Sequence, residues 1–203
     1  MTKVANFLFL ITLFFVFPFS LSADEKIENI STKTAVVFNT LCARCHEGEC
    51  SGRLSFDIGS EAANSHIKRY AGDINVSKGE TKDFFTLLNY MKKECALLMP
   101  DNGKWEPDNL SHFALPSHDS YFIPLGVMKS GDYRLNIEIK EGVLFRVEVI
   151  SDHFDPFLDQ SVCPDEKGQN LEFAIGEPIN AFLRIRSRKP LHIITLDISR
   201  DEK

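Results

Sequence analysis

The sequence predicts an α+β chain in two parts, with a helical N-terminal part followed by an antiparallel β-sandwich. Before about residue 117 the apolar side chains recur at the three- and four-residue spacing of amphipathic helices. From residue 118 onwards they alternate with polar side chains, and β-branched residues are frequent. The segment 116–120, Pro-Ser-His-Asp-Ser, is short and polar, as expected for a joint between the two parts.

The first 23 residues have the pattern of a secretory signal peptide. Lys3 gives a positive start, an apolar run of 13 residues extends from Phe7 to Phe19, and Ala23 ends a stretch of small residues. The run is short for a membrane span, although an uncleaved anchor is the alternative. We therefore predict an exported, periplasmic protein with no membrane span after cleavage, divided into a signal peptide 1–23, a helical domain 24–117 and a β-sandwich 118–203.

The net charge indicates which classes of binding partner are favoured. The 203 residues carry a formal net charge of −6 at pH 7. A negative chain is a poor partner for nucleic acid and for anionic membrane surfaces. The balance suits a protein partner with a basic docking patch.

Two helices are predicted around the first cysteines. The first starts at Ser31 or Thr32 and continues to Leu41 with apolar residues along one side. The second runs over 60–71, and Gly72 is its stop signal.

A third helix is predicted from its cap and its apolar spacing. Ser77 and Glu80 fit a capping box, in which the two side chains satisfy free backbone amides. The apolar face then contains Phe84, Leu87, Leu88, Met91 and Cys95. Because proline disfavours helical geometry in the preceding residue, Met99 before Pro100 is expected in an extended loop.

Seven strands are predicted after the joint. Alternating patterns are separated by turn signals at fairly regular spacing, which favours an antiparallel sandwich. The runs are 121–128, 133–139, 145–149, 154–162, 171–175, 179–187 and 191–198.

Residues 42–46 read Cys-Ala-Arg-Cys-His, the CxxCH pattern by which a c-type haem is attached. Cys42 and Cys45 would bind the two vinyl groups, and His46 would be the proximal iron ligand. Zinc binding and thiol redox chemistry are the alternatives for a CxxC pair. Zinc normally needs a second ligand pair at suitable spacing, and a thioredoxin-like pair needs a βαβ context. The sequence contains neither, so we expect one covalent haem c.

The second axial ligand is predicted to be Met99. A methionine opposite histidine raises the reduction potential of a haem. Met91 falls on an apolar helix face and Met128 in a strand, whereas Met99 lies in a loop that Pro100 restrains. His66 is the rival among the histidines.

The other three cysteines are odd in number. Export permits a disulfide, and Cys50 and Cys95 flank the expected haem crevice, so we favour a bridge between them. Sequence alone does not fix disulfide connectivity. Cys163 would then be free or buried.

The helical part resembles a class I c-type cytochrome domain over about residues 30–116. In that family an aromatic residue lies four positions before the first cysteine of CxxCH, as Phe38 does here. The distal methionine follows a helix and is often next to proline, which Met99-Pro100 matches. The family usually has glycine eight residues before the first cysteine, and here that residue is Thr34.

The β part is similar to bacterial pre-peptidase C-terminal domains. The similarity is carried by Gly131-Asp132-Tyr133-Arg134-Leu135 and by Phe154-Asp155-Pro156-Phe157-Leu158. These domains are small, jelly-roll-like sandwiches appended to exported enzymes, so the resemblance implies a jelly-roll-like sandwich with an accessory or docking role and no chemistry.

Together these observations predict a monohaem c-type cytochrome that transfers single electrons to or from a redox partner protein. It would act alone or as the electron-transfer subunit of an oxidoreductase, and is not expected to be an enzyme itself. The apolar walls of the haem crevice are expected from Phe38, Leu41, Leu98 and Trp105. The alternative is a haem-based gas sensor or haem enzyme, which needs a displaceable distal ligand and polar distal groups.

Overall fold

The computed structural model describes residues 29–47, 63–72, 74–100, 105–163 and 168–201. The predicted signal peptide 1–23 lies outside these ranges. No helix within them combines the length and the apolar character that a membrane crossing requires.

A single helical rod carries the CxxCH motif. It consists of α1 (Thr32–Val37), a π-helical turn (Phe38–Cys42) and α2 (Ala43–His46). Ser31 caps its start, since the Ser31 side chain accepts a hydrogen bond from the Thr34 amide at 3.1 Å. The helix therefore starts where the sequence predicts, and a π-helical turn of the kind that often marks functional sites precedes the second cysteine.

Two further helices have the predicted end signals. Helix α3 spans Asn64–Ala71, and Gly72 terminates it with a φ of 57°. Helix α4 spans Lys78–Glu94 and begins with the complete Ser77–Glu80 capping box. The segment 60–62, where the second helix was predicted to begin, lies outside the described residues.

The β part forms two antiparallel sheets. One has the order β1-β2-β7-β4-β5 and the other β6-β3-β8. The strands are β1 (Ala114–Leu115), β2 (Ser120–Met128), β3 (Gly131–Ile139), β4 (Phe145–Ser151), β5 (Pro156–Val162), β6 (Gln169–Ile175), β7 (Ile179–Ser187) and β8 (Ile193–Arg200). All seven predicted strands are confirmed, and β1 is an addition. The chain thus has helices and an antiparallel sandwich, as predicted for α+β.

Both faces of the larger sheet are covered. Successive residues of β7 from Ala181 to Ile185 are all buried, although their side chains point alternately to the two faces. One face packs on the smaller sheet, whereas the face with Phe122 and Phe182 meets the helical rod. Their rings stack with centroids 5.2 Å apart. The two parts of the chain therefore share one continuous apolar core.

The connection between the two parts is short. Pro107–Phe113 forms a 3₁₀ helix, and a second 3₁₀ turn spans Pro116–His118. Asp119 then adopts left-handed geometry, with a φ of 48°, before β2 begins. Strand β1 lies before the predicted boundary at 117/118, but it pairs with β2, which lies after it. The boundary itself remains a prediction based on periodicity.

Candidate haem-attachment site

The motif residues divide between two faces of the helix that carries them. At about 100° per residue, the side chains of Cys42, Cys45 and His46 fall within about one third of the circumference. Ala43, which is fully buried, and Glu47 face the sheet instead. Cys45 is exposed, and Cys42 and His46 are half-buried. The two thiols and the imidazole are therefore presented together on one side of the helix.

An ion pair holds the motif helix on the sheet. The buried Arg184 of β7 donates a hydrogen bond to Glu47 Oε1 at 2.5 Å. Across the sheet, Arg184 is in register with Phe122 on β2 and with Glu148 on β4. Its guanidinium lies 5.9 Å from the centre of the Phe122 ring. Because Glu47 directly follows His46, this contact fixes the end of CxxCH that carries the imidazole.

The thiol chemistry of the pair differs from that of a redox dithiol. Burial raises the pKa of the Cys42 thiol to about 12, and the charge of Cys45 adds to the shift. Reactive CxxC cysteines have the opposite perturbation, because a low pKa supplies the thiolate that attacks disulfides. The environment of Cys42 thus disfavours the thioredoxin-like interpretation.

A second histidine faces the motif. The ring centres of His46 and His66 lie 6.4 Å apart, and the ring planes are inclined by 60°. His66 belongs to α3, whose Ile67 and Ala71 are buried in the core. On the same helix, the Tyr70 ring lies 4.7 Å from that of His66. The structure therefore brings together His46 and His66, which are 20 positions apart in the sequence.

Met99 lies in a loop after α4, as the sequence predicts, and packs half-buried against the apolar core. The preceding Leu98 is tied to the π-helical turn, since Asn39 Nδ2 donates to the Leu98 carbonyl at 2.9 Å. Its assignment as distal ligand remains a prediction.

The other predicted site residues have mixed outcomes. Phe38 is buried, and Leu41, Leu98 and Trp105 are partly buried against the core. Met91 and Met128 are buried, consistent with packing roles. Cys95 caps α4 in left-handed geometry with a φ of 51°, and Cys163 is an exposed free thiol. Cys50 lies outside the described residues, so the bridge to Cys95 stays a prediction.

A basic crevice lies beside the motif. Arg44 borders a cavity of about 790 Å³ together with four other cations. These are Arg146 of β4, Arg186 of β7, and Arg188 and Lys189, which follow β7. Part of this charge is neutralised, since Glu148 lies 3.4 Å from Arg146 and 3.6 Å from Arg186. A hydrogen bond from Arg146 also lowers the pKa of the Asp159 carboxyl.

Sequence reasoning missed Arg184 and its partners. The strand reads Phe-Leu-Arg-Ile-Arg, and its pattern predicted only that it belongs to the run 179–187. Glu148 on β4 lies in register with Arg184 on β7. Predicting this pair from the sequence would require the register of two strands that are distant in the chain. No group of three or more His, Cys, Asp or Glu side chains within the described ranges has the arrangement of a metal site.

Comparisons with known proteins add little. No family model matches the chain, and no curated protein matches it. Among solved structures, it is similar to one titled "CBM4 structure and function", with 10% identity and a TM-score of 0.30. The match covers 40% of this chain and 73% of the other. At this TM-score the similarity supports no argument about function.

Proposed function

We propose that this chain is an exported monohaem c-type cytochrome that carries single electrons, alone or as the electron-transfer subunit of an oxidoreductase. The helical part would be a class I cytochrome-like domain, and the jelly-roll-like sandwich would be a docking module for the redox partner. The observation that carries the proposal is the shared face of Cys42, Cys45 and His46 on a helix fixed to the sheet by Arg184.

The residues present fit a covalently attached haem. Cys42 and Cys45 would hold it through two thioether bonds, and His46 would bind the iron. The haem, once attached, supplies a one-electron redox centre. Two side chains compete for the second axial position, namely Met99 from the sequence pattern and His66 from the geometry.

The protein's own residues would orient the haem and limit access of water. Phe38 and its apolar neighbours form a wall next to the motif. The Arg184–Glu47 pair prevents the motif helix from tilting on the sheet, which keeps His46 in one orientation. A fixed ligand orientation and an apolar shell are the features by which a protein tunes a haem potential.

A haem-based sensor or haem enzyme is the second candidate. It is favoured by the exposed position of His66 and by the proximity of Tyr70, which would place polar groups near the distal side. Rapid binding of carbon monoxide by the wild-type ferrous protein would support this candidate over the carrier, whose sixth position is held by a protein side chain.

The test is haem attachment in a host that matures c-type cytochromes. The wild-type chain, a Cys42→Ala/Cys45→Ala variant and a Cys163→Ser variant are exported and purified. Intact mass and a pyridine haemochrome assay should show one haem in the wild type and in Cys163→Ser, because Cys163 is exposed and lies outside the CxxCH motif. The double variant should carry none. A wild-type protein without covalent haem would contradict the proposal.

A further inference from the structure

We propose that His66, and not Met99, is the second axial ligand of the haem iron. This inference rests on the proposed function, because it needs a haem at CxxCH. It changes the expected properties of the centre, since a bis-histidine haem lacks the thioether that raises the potential.

The separation of the two rings matches a metal held between them. A metal–imidazole bond is about 2.0–2.1 Å long, and a ring nitrogen lies about 1.2 Å from the ring centre, so two rings on opposite sides of one ion have centres about 6.5 Å apart. The ring centres of His46 and His66 are 6.4 Å apart. The spacing of the ring centres therefore equals that of an axial pair.

The inclination of the rings also suits axial ligation. Two imidazoles that share an iron each contain the ligand axis in their plane, and they are free to differ in rotation about it. The 60° between His46 and His66 is compatible with this arrangement and is far from the parallel planes of a stacked pair. A simple aromatic contact at this distance is the competing explanation, and the experiment below separates the two.

The position of His66 on α3 supports a ligand role. Ile67 and Ala71 anchor the helix in the core, which leaves His66 exposed on the side that faces the motif. Cys45 is exposed on the motif helix. A haem attached to the two cysteines would thus have one imidazole available from each of two helices, His46 from the motif helix and His66 from α3.

Packing against the core explains the position of Met99 without iron ligation. Its side chain packs against the apolar core. The neighbouring Leu98 carbonyl accepts the hydrogen bond of the buried Asn39. These contacts account for a half-buried methionine in this loop as packing.

The test uses the full-length holoprotein and four variants: His66→Ala, His66→Met, Met99→Leu and His112→Ala. His112 is an exposed histidine of the 3₁₀ helix and provides the matched control. Covalent haem is first verified in each protein by intact mass. Oxidised visible, near-infrared magnetic circular dichroism and electron paramagnetic resonance spectra are then recorded, with carbon monoxide binding to the reduced form.

The wild type should be low-spin and lack the sulfur-to-iron charge-transfer band, and Met99→Leu and His112→Ala should match it. His66→Ala should lose the low-spin signal, bind carbon monoxide readily and regain the low-spin signal with added imidazole. His66→Met should gain the charge-transfer band and a higher potential. A wild-type charge-transfer band that Met99→Leu abolishes would overturn the inference but keep the proposed function, whereas absence of covalent haem would overturn both.

Discussion

Replacing Arg184 by Met should destabilise the fold and loosen the motif helix. Arg184 is 4% exposed, and it contacts Glu47 at 2.5 Å and Glu148 at 3.8 Å. Methionine keeps an unbranched apolar stem against Phe122 but removes the positive charge. The change therefore isolates the electrostatic contribution of the guanidinium from the packing of its methylene groups.

The size of the stability loss depends on the solvent and cation contacts that Glu47 and Glu148 keep in the variant. Removing one partner of a buried ion pair costs about 3–5 kcal/mol, because the other charge stays desolvated. Here the Glu47 side chain is 28% exposed, and Glu148 keeps Arg146 at 3.4 Å and Arg186 at 3.6 Å. Both features reduce the penalty, so we expect a loss near the lower limit, about 3 kcal/mol.

The assay is urea unfolding of the full chain followed by far-ultraviolet circular dichroism, with Arg134→Met as the matched control. Arg134 on β3 also faces two carboxylates, Glu172 at 3.5 Å and Asp201 at 3.7 Å. Its side chain is 46% exposed, so the pairs are screened by water and the control should lose about 0–1 kcal/mol.

A double-mutant cycle with Glu47→Gln completes the test. If Arg184 acts through Glu47, the two substitutions should be non-additive, with a coupling of about 0.5–3 kcal/mol. The reasoning would be refuted if Arg184→Met lost no more than Arg134→Met, or if its effect simply added to that of Glu47→Gln.

Three further predictions concern the helical part. Ser77→Ala should lower the free energy of unfolding by about 1 kcal/mol, because the cap of α4 is lost. Hydrogen bonds from Ser77 lower the pKa of Glu80. The stability from the cap is therefore present above about pH 4.5 and is lost as the pH falls through the folded-state pKa of Glu80. Glu80→Gln should flatten this part of the stability–pH profile, and an unchanged profile would contradict the prediction. Asn39→Ala should lower the free energy of unfolding in urea by about 1–3 kcal/mol, since it leaves the Leu98 carbonyl without its donor. A loss below about 0.5 kcal/mol, as at an ordinary surface site, would contradict the role of Asn39 in holding the Leu98 loop.

Local sequence signals determined most of the secondary structure. The Ser77–Glu80 capping box and the stop at Gly72 depend on side chains within a few residues of each other, and they appear as predicted. The seven strands follow because alternation of apolar and polar side chains specifies which face is buried. The CxxCH motif likewise depends on spacing within five residues.

Contacts between distant residues escaped prediction. The Arg184–Glu47 pair joins positions 137 apart, and only the folded structure brings these two residues into contact. The π-helical turn over Phe38–Cys42 was also not foreseen, because its composition does not distinguish it from an α-helix.

The sequence by itself determined the α+β class, the positions of the strands and the cysteine pair that would carry a haem. Tertiary structure alone decided that the helical rod lies on the larger sheet and that His66 faces His46 at 6.4 Å. The physical reason is that spacing along the chain fixes which side chains share a face, whereas packing decides which faces meet. The candidate for the second axial ligand of the proposed haem, His66, therefore lies on a helix outside the CxxCH motif.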